Sequence, residues 1–165
     1  MASSTQYPFV LVVDDNSESA DLMVELLQAC GMNSAAAYSG AAGLDAVINF
    51  RPDVVLLDLL MPQMDGFEVA NAIRKSPRPD TPVLIAFSAL TDPGTIELAM
   101  KSGFHFHLPK PATIKQVLTV IGNARALKSA KERDNAQRTG APGAEQVLAQ
   151  PAHGFTVPSG FKDTH

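Results

Sequence analysis

The side chains of this chain best suited to chemistry stand one after another at the ends of apolar runs. Asp14 and Asp15 follow Phe9–Val13, Asp58 follows Val54–Leu57, Ser88 follows Val83–Phe87, and Lys110 closes the run that begins at Phe104. A carboxylate at the carboxyl end of a buried strand is costly unless something there uses its charge. Two like charges about 5 Å apart, at an effective dielectric near 20, repel by roughly 3 kcal/mol. A cluster of Asp14, Asp15 and Asp58 would therefore raise its pKa values or bind a cation. All-oxygen ligands, few in number and open to water, suit Mg2+ better than zinc or an all-protein calcium cage. A carboxylate held beside Mg2+ can attack a phosphoryl group and form an acyl phosphate. Ser88 could then hydrogen-bond one phosphoryl oxygen and Lys110 pair with another. Taken alone, Asp58 reads equally well as a carboxylate capping the next turn. The weight comes from the positions together.

Those positions need a sheet to align them. Phe9–Val13, Val54–Leu57 and Val83–Phe87 are continuous apolar runs of the kind that form strands covered on both faces. Met32–Tyr38 is weaker, polar at Asn33 and Ser34, and suits a sheet edge. Phe104–Leu108 is the last strand, and Pro109 at its end is comfortable only on an edge. Between the strands lie helical stretches. One starts at Asn16 or Ser17 with Leu22, Leu26, Leu27 and Cys30 as its apolar stripe, and stops at Gly31. An Ala-rich helix follows Ser39-Gly40 and ends near Phe50, and a short one spans Phe67–Lys75. Another starts at Asp92-Pro93 and stops at Gly103, and the last runs Pro111–Arg125 with Ile114, Val117, Leu118 and Ile121 inward. Strand and helix alternate throughout, which forces a parallel sheet, with right-handed crossovers placing helices on both faces. The functional strand ends then crowd one rim, the usual place for ligands in open α/β sheets.

The 165 residues fit one domain with an appendage, with 45% hydrophobic and 18% charged content. A formal net charge of −4 gives no electrostatic case for nucleic acid or an anionic membrane as partner. The single cysteine, Cys30, falls in an apolar helical pattern and reads as a buried structural thiol in a reducing compartment. No basic leader precedes Phe9–Val13, and that run is too short to span a membrane, so a cytoplasmic location is expected. The expected organisation is an arm at 1–8, a domain at 9–127 and a tail at 128–165. The composition shifts to Ala, Gly, Pro and Gln, and disorder is expected from Ala136 onward. Phe155, Val157 and Phe161 in that tail are scattered hydrophobics.

Val12-Val13-Asp14-Asp15-Asn16, Leu57-Asp58-Leu59-Leu60-Met61-Pro62-Gln63-Met64-Asp65-Gly66, Phe87-Ser88-Ala89 and Leu108-Pro109-Lys110-Pro111 closely resemble the signature segments of response-regulator receiver domains. The resemblance runs from about Phe9 to Arg125. It implies an α/β flavodoxin-like fold with a five-stranded parallel sheet of order 2-1-3-4-5. It implies Asp58 as phosphoacceptor, loaded by a histidine kinase or phosphotransfer protein, with Mg2+ as cofactor and Mn2+ able to replace it. By the same resemblance, Asp15 is the direct metal ligand, Asp14 holds metal-bound water, and the Leu60 carbonyl is the backbone ligand. Ser88 and Lys110 match the phosphate-sensing pair, and Lys110-Pro111 a peptide bond often cis in the family. The switch position, commonly Tyr or Phe, holds His107, as in receivers that stand alone or join hybrid kinases. The other reading of His107 is an edge-strand histidine with no switching role, and His105 reads as plain surface. Ala89, small and next to Ser88, leaves a route for phosphodonor and water.

The function this implies is a phosphorylation-controlled binding module in two-component signalling or a phosphorelay, not an enzyme with turnover of its own. Its output would pass through contacts with other proteins. The readout face comprises the helix from Asp92, the last strand and the helix from Pro111, and two copies could pair there. Residues 128–165 are too few and too poor in apolar pattern for a helix-turn-helix unit. An aspartyl-nucleophile phosphohydrolase would need an acid/base carboxylate where Leu60 stands, and Asp65 lies too far along the loop. A constitutive scaffold would not need the full acidic, hydroxyl and lysine set.

Overall fold

The computed structural model describes residues 7–78 and 80–140, so Phe155, Val157 and Phe161 lie outside the described residues. Five strands and five helices alternate. They are β1 (Val10–Val13), α1 (Ser17–Ala29), β2 (Ser34–Ala37), α2 (Gly40–Phe50), β3 (Val54–Leu57), α3 (Gly66–Lys75), β4 (Val83–Ser88), α4 (Pro93–Ser102), β5 (Phe106–Pro109) and α5 (Ile114–Arg138). The sheet has the order β2-β1-β3-β4-β5 and every pairing is parallel. The chain divides into two units after Ser129, and the first holds the sheet.

Strand residues alternate between two apolar layers, as the two-residue period of a strand requires. Val10, Val12, Val54, Leu56, Ile85 and Phe87 face α1 and α5, where Leu27, Val117 and Ile121 are fully buried. Leu11, Val13, Val55, Leu57, Leu84 and Ala86 face the other way, against Val69, Ile73 and Ala99 of α3 and α4. The runs Val10–Val13 and Val54–Leu57 contain no exposed side chain because both faces are covered.

The inward face of α1 keeps only Leu27 of the expected apolar stripe. Ala20, Met23 and Leu27 are buried, whereas Leu22 is 58% exposed, Leu26 38% exposed, and Cys30 is an exposed residue at the carboxyl cap. The helix is rotated so that the small Ala20 meets the sheet and lets it approach closely. Counting only large apolar residues misplaces that face, and with it Cys30.

The last strand starts two residues later than the sequence pattern gives. Gly103, at φ 113°, caps α4, and Phe104 turns inward to meet Phe67 edge-on, ring centroids 6.5 Å apart. His105 is half-buried rather than plain surface. Its N–H donates to the Leu84 carbonyl at 2.8 Å, and its Nδ1 accepts the Leu84 N–H at 3.0 Å. A side chain thus stands in for the ladder carbonyl there, and regular pairing begins at Phe106.

The final helix continues through Arg138, past the expected end at Arg125, the domain limit at 127 and the onset of disorder at Ala136. Its later residues are good helix formers, with an Arg138–Asp134 pair at 3.3 Å, so it persists after its apolar periodicity ends. At the amino ends of the strands, Asp53 takes the Phe9 N–H at 2.9 Å and the Lys128 ammonium at 2.9 Å, pinning α5 to β1 and β3. No helix among the described residues is long and apolar enough to cross a membrane.

Candidate functional site

Register sets the site. Val13 pairs with Leu57, Leu57 with Ala86, and Ser88 with Pro109, so the four strands end nearly level. The residues that follow, Asp14, Asp58 and Lys110, are brought together with Ser88 at that rim. The Asp14 N–H donates to the Ala37 carbonyl at 3.1 Å and the Asp58 N–H to the Val13 carbonyl at 3.0 Å, which carries the ladder one residue into the site.

Asp14 is 4% exposed. Its Oδ1 accepts the Asn16 N–H at 2.9 Å, and its Oδ2 lies 2.6 Å from Lys110 Nζ. Asp58 Oδ1 accepts the Leu60 N–H at 3.2 Å, and its Oδ2 accepts from Lys110 Nζ at 3.2 Å. Asp15 is exposed, and each of the three aspartates offers an oxygen within 4.8 Å of the others. This is an all-oxygen, carboxylate-rich donor set, open to solvent on the Asp15 side, and it fits a hard divalent cation.

Burial raises the Asp58 pKa above its ordinary 3.8, and the charge of Lys110 and the Leu60 N–H only partly oppose it. Burial would by itself lower the Lys110 pKa, but the hydrogen bond it donates to Asp14 and the charges of Asp58 and Asp14 outweigh it and raise the value. A carboxyl whose pKa folding raises binds its proton more tightly when folded. Its contribution to stability is therefore present below the unfolded pKa and lost as pH rises through the folded one. Asp58→Asn should melt above the wild type at neutral pH without divalent cations, and the gap should narrow as pH falls toward 3.8. Thermal melts across that pH series check this, and a variant less stable at neutral pH would contradict it.

Ser88 is 1% exposed, and its Oγ accepts the Leu90 N–H at 3.2 Å. On the other side of the same residue, His107 Nε2 lies 2.9 Å from the Leu90 carbonyl oxygen, so that nitrogen carries the ring proton. Leu90 therefore links Ser88 to His107 through its main chain. Nothing in its side chain announces that role, and sequence reasoning passes over it. Phe87, which closes an apolar run and opens the Phe87-Ser88-Ala89 segment, has its ring centroid 5.1 Å from Lys110 Nζ, within cation–π range.

The loop after Asp58 is tightly drawn. Leu59 and Met61 are buried, and Gln63 adopts φ 69°. Asp65 and Glu68 form a reciprocal capping box at the start of α3. Gly66 donates to the Leu59 carbonyl at 3.1 Å, and a Cβ on it would lie 2.2 Å from the Asp58 carbonyl oxygen. The Lys110–Pro111 peptide bond is cis. Ala89 is exposed and, with Lys110, lines a groove of about 490 Å3 whose other wall is Leu22, Met23 and Leu26 of α1.

Residues 10–122 match the family model described as response regulator receiver domain. The chain is 33% identical over 113 residues to the DNA-binding response regulator MtrA of Mycobacterium tuberculosis, a match covering 68% of this chain and 48% of that one. It spans about half the length of the curated relatives it matches first. A receiver domain from a Francisella response regulator superposes with a TM-score of 0.65 at 26% identity, covering 71% of this chain and 95% of that one. The Vibrio cholerae chemotaxis response regulator CheY4 does so with a TM-score of 0.68 at 25% identity, covering 72% and 98%.

Proposed function

The chain belongs to the response-regulator receiver domain family, and from that premise we propose that it is a phosphoacceptor, modified on Asp58 in a Mg2+-dependent reaction. The observation that carries the reading is the placement of Asp58. It lies at the end of the central strand, between the acid pair Asp14 and Asp15 and the ammonium of Lys110.

Asp14, Asp15, Asp58 and the Leu60 carbonyl are the groups that would hold the ion. When bound, Mg2+ offsets negative charge between the carboxylates and the phosphoryl oxygens. An Asp58 carboxylate oxygen attacks phosphorus, and the bond from phosphorus to the donor's imidazole nitrogen breaks. The electron pair of that bond leaves with the imidazole of a histidine kinase or phosphotransfer protein. Lys110, already against Asp58, follows the transferred group as a charge partner. Ser88 turns its hydroxyl toward the phosphoryl oxygens, and the Leu90 N–H is released. His107 holds the carbonyl of the same residue, so its hydrogen bond is placed to report the change to β5. Slow hydrolysis at the same site returns the free carboxylate, and no separate substrate is turned over.

The DNA-binding activity in the name of the mycobacterial relative belongs to that protein. For this chain the proposal is output through protein contacts in the cytoplasm, consistent with a net charge of −4. Incubation with Mg2+ and a small acyl phosphate, followed by intact-mass measurement, tests the reading. One phosphoryl adduct per chain supports it. No adduct on folded protein, or rapid multiple turnover of the donor, rejects it.

Ala89 gives a second handle. It is exposed beside the groove that opens on Lys110, so a larger side chain there narrows the approach of donor and water alike. Ala89→Leu is expected to slow both phosphorylation by the small donor and loss of the adduct by about tenfold, on the order of 1.4 kcal/mol in each barrier. Unchanged rates in both directions would discard the access argument.

A further inference from the structure

A cavity of about 160 Å3 lies between the carboxyl-terminal halves of α2 and α3 and the start of β4, at the rim of the sheet opposite Asp58. Its walls are apolar, from Leu44, Val47, Ile48, Ile73 and Pro82. An apolar cavity of about 150 Å3 is enough to admit a benzene ring. The charged residues lining it are Arg51, Arg78 and Asp80.

The two helix ends would ordinarily disfavour an anion, because their free carbonyls carry the negative end of the dipole. Here carbonyls of that kind are occupied. Val47 takes the Arg51 N–H at 3.2 Å, Ile73 takes the Ser76 N–H at 3.1 Å, and Ile48 takes Arg78 Nη1 at 3.0 Å. That bond uses one of the five donors of the Arg78 guanidinium. Arg51 and Asp80 are 3.9 Å apart, too far for a hydrogen bond, and both are well exposed. Arg51 also sits in the left-handed region at φ 48°, where a helix end usually places glycine or asparagine. Strained non-glycine backbone of this kind concentrates at ligand clamps. Two guanidinium groups against one carboxylate leave the polar edge of the cavity with spare positive charge and planar, forked donors.

We propose that this cavity binds a small aromatic carboxylate, with its ring between the apolar walls and its carboxylate on Arg51 and Arg78. A long acyl chain exceeds the volume, and a neutral ring leaves the guanidinium donors unused. The site lies outside the phosphoacceptor chemistry, and its test does not depend on that chemistry.

The test is titration of the 15N-labelled full chain with benzoate, and in parallel with benzyl alcohol, which keeps the ring and drops the charge. Benzoate should give saturable amide shifts confined to residues 44–51 and 72–82, with a dissociation constant on the order of a millimolar. Benzyl alcohol should bind about tenfold more weakly. Arg78→Gln should weaken benzoate about tenfold and leave benzyl alcohol unchanged. Ala72→Phe should remove binding of both by filling the space. If that variant fails to fold, Arg78→Gln and Arg51→Gln, both at solvent-reaching side chains, decide the matter. The proposal is overturned by an absence of saturable shifts or by shifts elsewhere on the chain. Equal affinity for the two ligands, or indifference of benzoate to the arginine substitutions, overturns it as well.

Discussion

Asp58→Asn is expected to abolish the phosphoryl adduct that the wild-type chain gains from Mg2+ and a small acyl phosphate, with the rate falling by about a thousandfold or more. The geometry leaves no substitute acceptor. Asp14 is 4% exposed, and its two oxygens are taken by the Asn16 N–H and by Lys110. Asp15 is exposed, and the Lys110 ammonium is held between Asp14 and Asp58, so a phosphoryl group on Asp15 would lack that charge partner. The substitution keeps the size of the side chain and one hydrogen-bonding oxygen, so the variant should remain folded. The measurement is intact mass after a timed incubation, followed by peptide mapping of any modified wild-type protein. An adduct of undiminished yield on the variant, or one mapping to another residue, would remove the basis of the proposed function.

Gly66→Ala should cost far more stability than the addition of one methyl group ordinarily does. The new Cβ would lie 2.2 Å from the Asp58 carbonyl oxygen and 2.9 Å from Leu59 Cα. Both are backbone atoms of a segment buried at Leu57 and Leu59, so neither can swing aside as a flexible side chain would. Overpacking of this kind costs about 2–3 kcal/mol. For a domain of this size that lowers the melting temperature by about 10 °C. Gly122→Ala is the matched control. It is a helical glycine with nothing within 4 Å of its added Cβ, and it should gain about 1 kcal/mol from helix propensity. Thermal melts of the two variants should therefore move in opposite directions. A Gly66→Ala protein as stable as the wild type would mean that the start of α3 can retreat from the aspartate loop.

The strand ends were legible because they combine two strong patterns, a continuous apolar run and an abrupt acidic, hydroxyl or lysine residue. Parallel pairing then leaves little freedom in where Asp14, Asp58 and Lys110 meet. Edge placement of β2 and β5 was legible for similar reasons, from Asn33-Ser34 and from Pro109. What escaped depends on information that residue type does not carry. The rotation of α1 turns on Ala20, whose small size matters only once the helix meets the sheet. The later start of β5 depends on an imidazole acting as a backbone acceptor at Leu84. The length of α5 reflects propensity persisting beyond amphipathicity. The link from Ser88 to His107 runs through the main chain of Leu90, which any residue but proline could supply.

Lys110 reaches both Asp14 and Asp58, at 2.6 and 3.2 Å, and so serves as a resident counter-ion for the acidic nest. That one ammonium offsets part of the charge of three carboxylates, so the aspartates gather at the rim before any metal is bound. Chelation should leave the chain cooperatively folded while stopping phosphoryl transfer, which melts and adduct yields measured on one chelated sample would show. Loading an ion there would be an exchange, in which the lysine would loosen its hold on two carboxylates and be freed for an incoming oxyanion.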